Sequence, residues 1–359
     1  MKSDTVISYK CPSCGSALVF DAKSGKMHCN SCDSEFDVEV LEKLEATEGE
    51  QTGFDWSDYK KTFSADPLEN AAVYVCRSCG AEIVTDAATA ATHCPYCDNE
   101  IVLTDRVEGG LKPNGMIPFK IDKKALSEKI AAFCKGKTLL PKNFFSESKI
   151  KDVQGVYVPF WLYDCRLDGE MTFNAKRVRC YSRGDWDYTE TSHYLLLRDG
   201  GMNFVKVPVD GSVKMPDDLM DSVEPFDFSE LVDFDSAYLS GFLADRFDCD
   251  PEQSMPRAEE RMKNSAVDAF RGTAHGYSSV TLRSNGMKIT DTKIKYVLLP
   301  VYLLNCNYNG KKYQFAVNGQ TGKVVGELPI CKKKKRLWFS GVFAGVFALA
   351  SLILYFLMR

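Results

Sequence analysis

Cys11-Pro-Ser-Cys14-Gly15 is followed, after a gap of 14 residues, by Cys29-Asn-Ser-Cys32. The same arrangement recurs as Cys76-Arg-Ser-Cys79-Gly80 and, after another 14 residues, Cys94-Pro-Tyr-Cys97. A His precedes the second pair each time, at His28 and His93. Two CxxC pairs with one fixed gap, repeated, form an internal duplication, a far more specific signal than a single pair. A tight CxxC turn offers two sulfurs to one ion, and two such turns complete a tetrahedron. The spacing therefore predicts two closed four-thiolate zinc sites, Cys11, Cys14, Cys29 and Cys32 in the first and Cys76, Cys79, Cys94 and Cys97 in the second. His28 and His93 are read as non-ligands, since four thiolates already fill a site. An iron centre of the rubredoxin type and disulfides are the alternatives. The first also takes four thiolates; the second conflicts with a cytosolic setting. A catalytic zinc needs an open position, and these sets leave none, so the two Zn2+ ions are expected to be structural.

Residues 17–20, a turn around Asp21–Lys26, and Met27 leading into Cys29 predict a β-hairpin between the two knuckles of the first unit. Each unit has about 35 residues, too few for a self-sufficient core, so metal binding would be coupled to folding. The predicted architecture is multidomain: zinc ribbon 1 over 1–40, an acidic linker over 41–70, zinc ribbon 2 over 71–105 and an α+β domain over 110–330. A basic juxtamembrane segment over 331–336 and a transmembrane helix over 337–358 complete it. In the linker, Phe54, Trp56, Tyr59 and Phe63 interrupt Glu42, Glu45, Glu48, Glu50, Asp55 and Asp58. Those aromatic residues fit either docking onto a neighbouring domain or a partner-binding segment.

Residues 337–358 carry no charge, and twelve of the 22 are Leu, Ile, Phe or Val. As a helix the run is roughly 33 Å long, enough for a hydrocarbon core of about 30 Å. Lys332, Lys333, Lys334, Lys335 and Arg336 stand immediately before it. Positive flanks stay on the cytoplasmic side, and the N-terminal residues show no apolar h-region. The expectation is a tail-anchored, single-pass protein of the cell membrane with its soluble part in the cytoplasm. Gly341 and Gly345 are spaced for close helix approach, which allows a homo-oligomer through the span.

The chain has 359 residues, 45 Lys+Arg, 49 Asp+Glu and a net charge of −4. Without residues 331–359 the balance is 39 to 49, a net of −10. Neither ribbon carries the basic stripe that phosphate contacts require. The charge pattern therefore argues against nucleic acid as a partner and favours protein contacts. A membrane-tethered nucleic-acid-binding protein is the alternative reading.

Within 110–330, residues 156–163 (VYVPFWLY) and 297–304 (VLLPVYLL) read as strands that align without a gap. Pro159 matches Pro300, Trp161 matches Tyr302, Cys165 matches Cys306 and Gly169 matches Gly310, which predicts an internal duplication. A Pro inside each strand implies an edge or a bulge. Asp168-Gly169, Asp199-Gly-Gly201, Asn309-Gly310 and 318–322 read as hairpin turns. Helices are predicted over 123–133, 235–247 and 256–270, the last with Met262, Ala266, Ala269 and Phe270 on one face. Cys165 and Cys306 are expected to be buried thiols. The nearest approach to a P-loop, residues 131–138, ends a helix where phosphate cradling opens one, and HExxH, GxSxG and GxGxxG are absent. No catalytic residue and no cofactor-binding residue is assigned, and the chain is read as a non-enzyme.

The Tyr9-to-Gly15 segment, the second ribbon and the VPFWLYD and LPVYLLN segments resemble a bacterial family of membrane-anchored double zinc-ribbon proteins, often called TFIIB-type or primosomal-helicase-like. The helicase label finds no ATP-binding motif here. The resemblance implies a recruiting role at the inner membrane face, in a membrane-stress module with phage-shock-protein-A-like and SPFH-domain proteins as protein partners. The combined expectation is a tail-anchored adaptor that brings protein partners to the membrane.

Overall fold

Two apolar runs, 156–162 and 297–304, are buried at every position. A strand achieves that only when both faces of its sheet are covered. In the computed structural model the described residues are 11–12, 16–21, 24, 26–38, 40–41, 71–86, 93–97, 99, 102–103, 112–141, 144–145 and 153–357. The segment expected to be an acidic linker, with its four aromatic residues, lies outside them apart from Leu41.

In chain order the strands are β1 (Val19–Asp21), β2 (Lys26–His28), β3 (Glu35–Phe36), β4 (Ala71–Val75), β5 (Glu82–Asp86), β6 (Val102–Leu103) and β7 (Gly115–Met116). Helix α1 (Lys123–Cys134) precedes the long strands β8 (Gln154–Arg183) and β9 (Trp186–Asp210). Then follow α2 (Asp217–Val223), β10 (Val232–Asp233), β11 (Leu243–Asp245), α3 (Pro251–Gly272), β12 (Ser279–Asn285), β13 (Lys288–Tyr308), β14 (Lys311–Asn318), β15 (Val324–Gly326) and α4 (Lys332–Leu357).

The chain divides into two compact units. One comprises Met1–Lys60, Tyr163–Val207 and Met255–Ile294; the other comprises Lys61–Leu162, Pro208–Ser254 and Lys295–Arg359. The larger unit is built on a sheet of order β10-β7-β13-β8-β11-β5-β4-β6, with β14 and β15 continuing from β13. Strands β8 and β13 lie side by side at its centre. Each is flanked by a short parallel neighbour: β11 pairs with Val156 and Tyr157, and β7 pairs with Val297 and Leu298. Of the edge or bulge expected at the two prolines, the edge is corrected, since β8 and β13 lie inside the sheet. Pro159 and Pro300 sit in central strands, but just beyond the last residue paired to the short neighbour. A missing N–H costs little where the adjacent strand has ended. Each proline carbonyl accepts a glycine N–H at 2.8 Å, from Gly211 and Gly319 respectively. Trp161 Nε1 donates to the Cys249 carbonyl at 2.9 Å, and the Tyr302 hydroxyl donates to the Ile121 carbonyl at 2.5 Å.

The smaller unit has two parts. Strands β1, β2 and β3 form their own antiparallel sheet. The distal lengths of β8 and β9 form an arm, and β12 pairs with β8 from Met171 to Lys176. Two expected turns fall inside these strands. Asp168-Gly169 lies within β8 and Asp199-Gly-Gly201 within β9. Gly169 has φ +146°, and a Cβ there would stand 2.5 Å from the Gly286 carbonyl oxygen. A Cβ on Gly201 would overlap the Asp168 carboxylate. These glycines admit close neighbours; they do not reverse the chain.

The turn at Asn309-Gly310 is present, with φ of +51° and +77° joining β13 to β14. β14 and β15 pair across 318–322 as expected. Helix α1 buries Leu126 and Ile130. Helix α3 buries Met262, Ala266 and Val267, while Ala269 is exposed. The helix expected over 235–247 is instead a 3-10 turn, Ser236–Leu239, followed by β11. Position beside β8 and β5 overrides its helical periodicity. Cys165 and Cys306 are both buried.

Helix α4 has 26 residues and no buried side chain. It is long and apolar enough to cross a membrane, and its first turn is formed by Lys332 to Lys335.

Candidate metal centres

Each knuckle begins with the same backbone closure. The N–H of its first cysteine donates to the carbonyl five residues on: Cys11 to Ser16, Cys29 to Ser34, Cys76 to Ala81 and Cys94 to Asn99. This closure folds Cys29–Cys32, Cys76–Cys79 and Cys94–Cys97 so that the two sulfurs of each pair join one cluster. The distances are 2.6, 2.9, 2.9 and 2.8 Å.

In the second unit the sulfurs of Cys76, Cys79, Cys94 and Cys97 all lie within 4.8 Å of one another. Cys76 and Cys97 are 3.5 Å apart, and Cys79 and Cys94 are 3.6 Å apart. A disulfide requires about 2.05 Å, so these contacts are not bonds. Metal–sulfur bonds of about 2.3 Å in a tetrahedron place sulfurs about 3.8 Å apart, close to what is seen. Burial pushes the Cys94 thiol well above its ordinary range and raises Cys79 as well. At Cys97 burial acts the same way, but the Asn99 N–H and the neighbouring thiols outweigh it and bring it to about 7. A cation at the centre would supply the attraction that lets all four ionise together. The donor set fits a tetrahedral metal.

The first unit brings Cys11, Cys29 and Cys32 together in the same way, with Cys11 and Cys32 sulfurs 3.6 Å apart. The remaining expected ligand, Cys14, lies outside the described residues. Neither His28 nor His93 is among the grouped donors. The His28 ring instead approaches Asn30 and, at 3.7 Å, Asp33.

The two centres differ in what surrounds them. The first is enclosed by Leu18, Met27, Phe36 and Leu41, with Leu195 of β9 packed against them. The second is fused to the large sheet: β5 pairs with β11, placing Val84 opposite Ala244 and Ile83 opposite Asp245. Tyr96, between the ligands Cys94 and Cys97, is buried and donates its hydroxyl to Asp245 at 2.6 Å. Asp245 also accepts from Ser212 at 3.0 Å and pairs with Lys214 at 2.8 Å. Lys214 reaches Asp248 at 3.2 Å and lies 5.7 Å above the Tyr96 ring. Burial alone would lower the Lys214 pKa, but the two carboxylates raise it above its ordinary value. The knuckle's backbone is held as well. Asn305 donates to the Pro95 carbonyl at 3.0 Å, and Lys312 donates to the Tyr96 carbonyl at 2.7 Å. Reading the sequence for metal ligands passes over Tyr96, Asp245, Lys214, Asn305 and Lys312. The available signal was the large aromatic at Tyr96 where the first unit has Ser31.

The chain is 38% identical over 348 residues to a Bacillus subtilis (strain 168) protein, "Uncharacterized protein YdjG", covering 97% of each. No family model matches the chain. No solved structure matches it.

Proposed function

We propose, for a chain that belongs to the family of the Bacillus subtilis protein YdjG, a membrane-anchored, cytosol-facing zinc-ribbon adaptor that recruits protein partners to the membrane. The observation that carries this reading is the pairing of two compact cysteine clusters with one wholly unburied apolar helix. Zinc is the metal assigned to both clusters, because closed four-thiolate sites on knuckles are its characteristic structural setting. The full ligand sets are Cys11, Cys14, Cys29 and Cys32, and Cys76, Cys79, Cys94 and Cys97. With every position taken by thiolate, neither ion has a site for substrate, so the sites stabilise structure. The basic turn at the start of α4 favours a cytoplasmic soluble part. The body is read as a duplicated unit, supported by the matched contacts of Pro159 with Pro300 and of Trp161 with Tyr302.

Val19 and Phe20 on β1 are more than half exposed, which supports protein contact at the first ribbon. The resemblance to membrane-stress adaptors directs the search for partners to phage-shock-protein-A-like and SPFH-domain proteins. The test is affinity purification from membranes, with Cys→Ser changes in both ribbons as the control. A partner captured equally well by the control, or no partner at all, would overturn the adaptor reading.

One feature favours the alternative of nucleic-acid binding. The β8–β9 arm carries Arg177, Arg179 and Arg183 beside the stacked pair Tyr181–Tyr188 and the exposed Trp186. Asp185, Asp187 and Glu190 on the same arm offset most of that charge. Salt-sensitive binding of DNA or RNA by the full-length chain would support the alternative.

A further inference from the structure

We infer that the two metal centres have separate duties, the second being the keystone of the larger unit and the first serving its own small sheet. The inference rests on the reading that both clusters hold zinc. It adds that Tyr96, Asp245, Asn305 and Lys312 transmit the second ion's binding energy into the fold.

The argument starts from which core each centre occupies. Cys76, Ala81, Ile83, Cys94 and Tyr96 belong to one buried cluster with Val156, Phe160, Val297 and Leu303. The corresponding core of the first ribbon has Cys11, Leu18, Met27, Cys29, Phe36 and Leu41, with Leu195 of β9 packed against it from outside. Opening the second knuckle therefore uncovers the central strands of the larger unit, whereas opening the first uncovers its own sheet and a limited contact with the β8–β9 arm through Leu195.

Polar contacts bind the knuckle still more closely. Its two inner backbone carbonyls, at Pro95 and Tyr96, are taken by Asn305 and Lys312, which β13 and β14 supply. The Tyr96 hydroxyl is one of the groups that satisfy Asp245, a carboxylate with no exposed side-chain surface. A loosened knuckle would leave that carboxylate short of a donor in a buried site, a costly arrangement. Linkage is reciprocal: if the ion stabilises the unit, the folded unit tightens the ion. Groups behind a ligand commonly change metal affinity by about 10–100-fold when removed.

The experiment uses the full-length chain in nanodiscs, with zinc counted per chain, chelator competition, and thermal unfolding followed by circular dichroism. Cys11→Ser/Cys29→Ser is expected to lose one zinc and leave the main transition in place. Cys76→Ser/Cys94→Ser is expected to lose that transition or to yield no folded chain. Tyr96→Phe and Asn305→Ala keep every ligand. In the Cys11→Ser/Cys29→Ser background, where only the second site is filled, each is expected to weaken zinc by about 10-fold or more. Unchanged zinc affinity in both variants, or a Cys76→Ser/Cys94→Ser chain that melts like the parent, overturns the inference while leaving the zinc reading intact. A parent chain with no zinc overturns both.

Discussion

Lys214 is the most informative single position to change. Its ammonium sits between Asp245 and Asp248, at 2.8 and 3.2 Å, with 9% of its side chain exposed and none of Asp245's. Lys214→Met keeps much of the volume and removes the charge, leaving a buried carboxylate with hydroxyl donors alone. Breaking a buried pair in this way costs about 3–5 kcal/mol. For a unit of this size each kcal/mol shifts Tm by roughly 2–4 °C, so a fall of roughly 6–20 °C is expected. Thermal unfolding of the full-length chain in nanodiscs, as purified with its metal, measures it. A Lys214→Met/Asp245→Leu double change should recover part of the loss, since no lone charge then remains, although Tyr96 and Ser212 lose their acceptor. The pH dependence has a definite sign. The folded-state pKa of Lys214 is raised, so its contribution is complete below the ordinary lysine value and disappears as pH rises through the folded-state value. Burial already raises the Asp245 pKa and losing Lys214 raises it further, so the difference between parent and Lys214→Met should narrow toward low pH, where the lone carboxyl of the variant takes up a proton, as well as above about pH 10. A loss below about 1 kcal/mol, or a double variant no better than the single one, would refute the account of the network.

Gly169→Ala should destabilise the smaller unit by a few kcal/mol, because its φ and the Gly286 carbonyl both exclude a side chain; proteolysis of the arm under native conditions would report it. Trp161→Phe preserves the ring contacts with Phe247 and Tyr296 but leaves the Cys249 carbonyl without its donor. A loss of about 1 kcal/mol in denaturant unfolding is expected. Removing residues 337–358 should move the chain from the alkali-resistant membrane fraction to the soluble fraction, and an unchanged distribution would refute the anchoring role of α4.

The parts of the fold legible in the sequence are those fixed by near neighbours. A CxxC knuckle is closed by its own backbone within six residues, so both cysteine clusters could be read from spacing. The turn at Asn309-Gly310 and the helices α1 and α3 likewise follow from local preference and periodicity. The errors arose where distant chain decides the role of a residue. Asp168-Gly169 and Asp199-Gly-Gly201 have the composition of turns, yet their glycines make room for groups remote in sequence. The segment 235–247 has helical spacing, but part of it is needed as a strand beside β8. The setting of the second cluster was hidden for the same reason. Its ligands are local, but the groups behind them come from residues 214, 245, 305 and 312.

That separation has a consequence for biogenesis. Lys312 lies 216 residues after its acceptor, Tyr96. At 5–20 residues per second, a ribosome needs roughly 10–40 s to travel that distance. Throughout this interval the nascent ribbon must manage four thiols and an uncovered tyrosine ring without the strands that will later enclose them. Metal captured early would protect those thiols from oxidation and mispairing. On the proposed zinc reading, the order of synthesis would place ion loading before docking and make zinc supply during translation a determinant of yield.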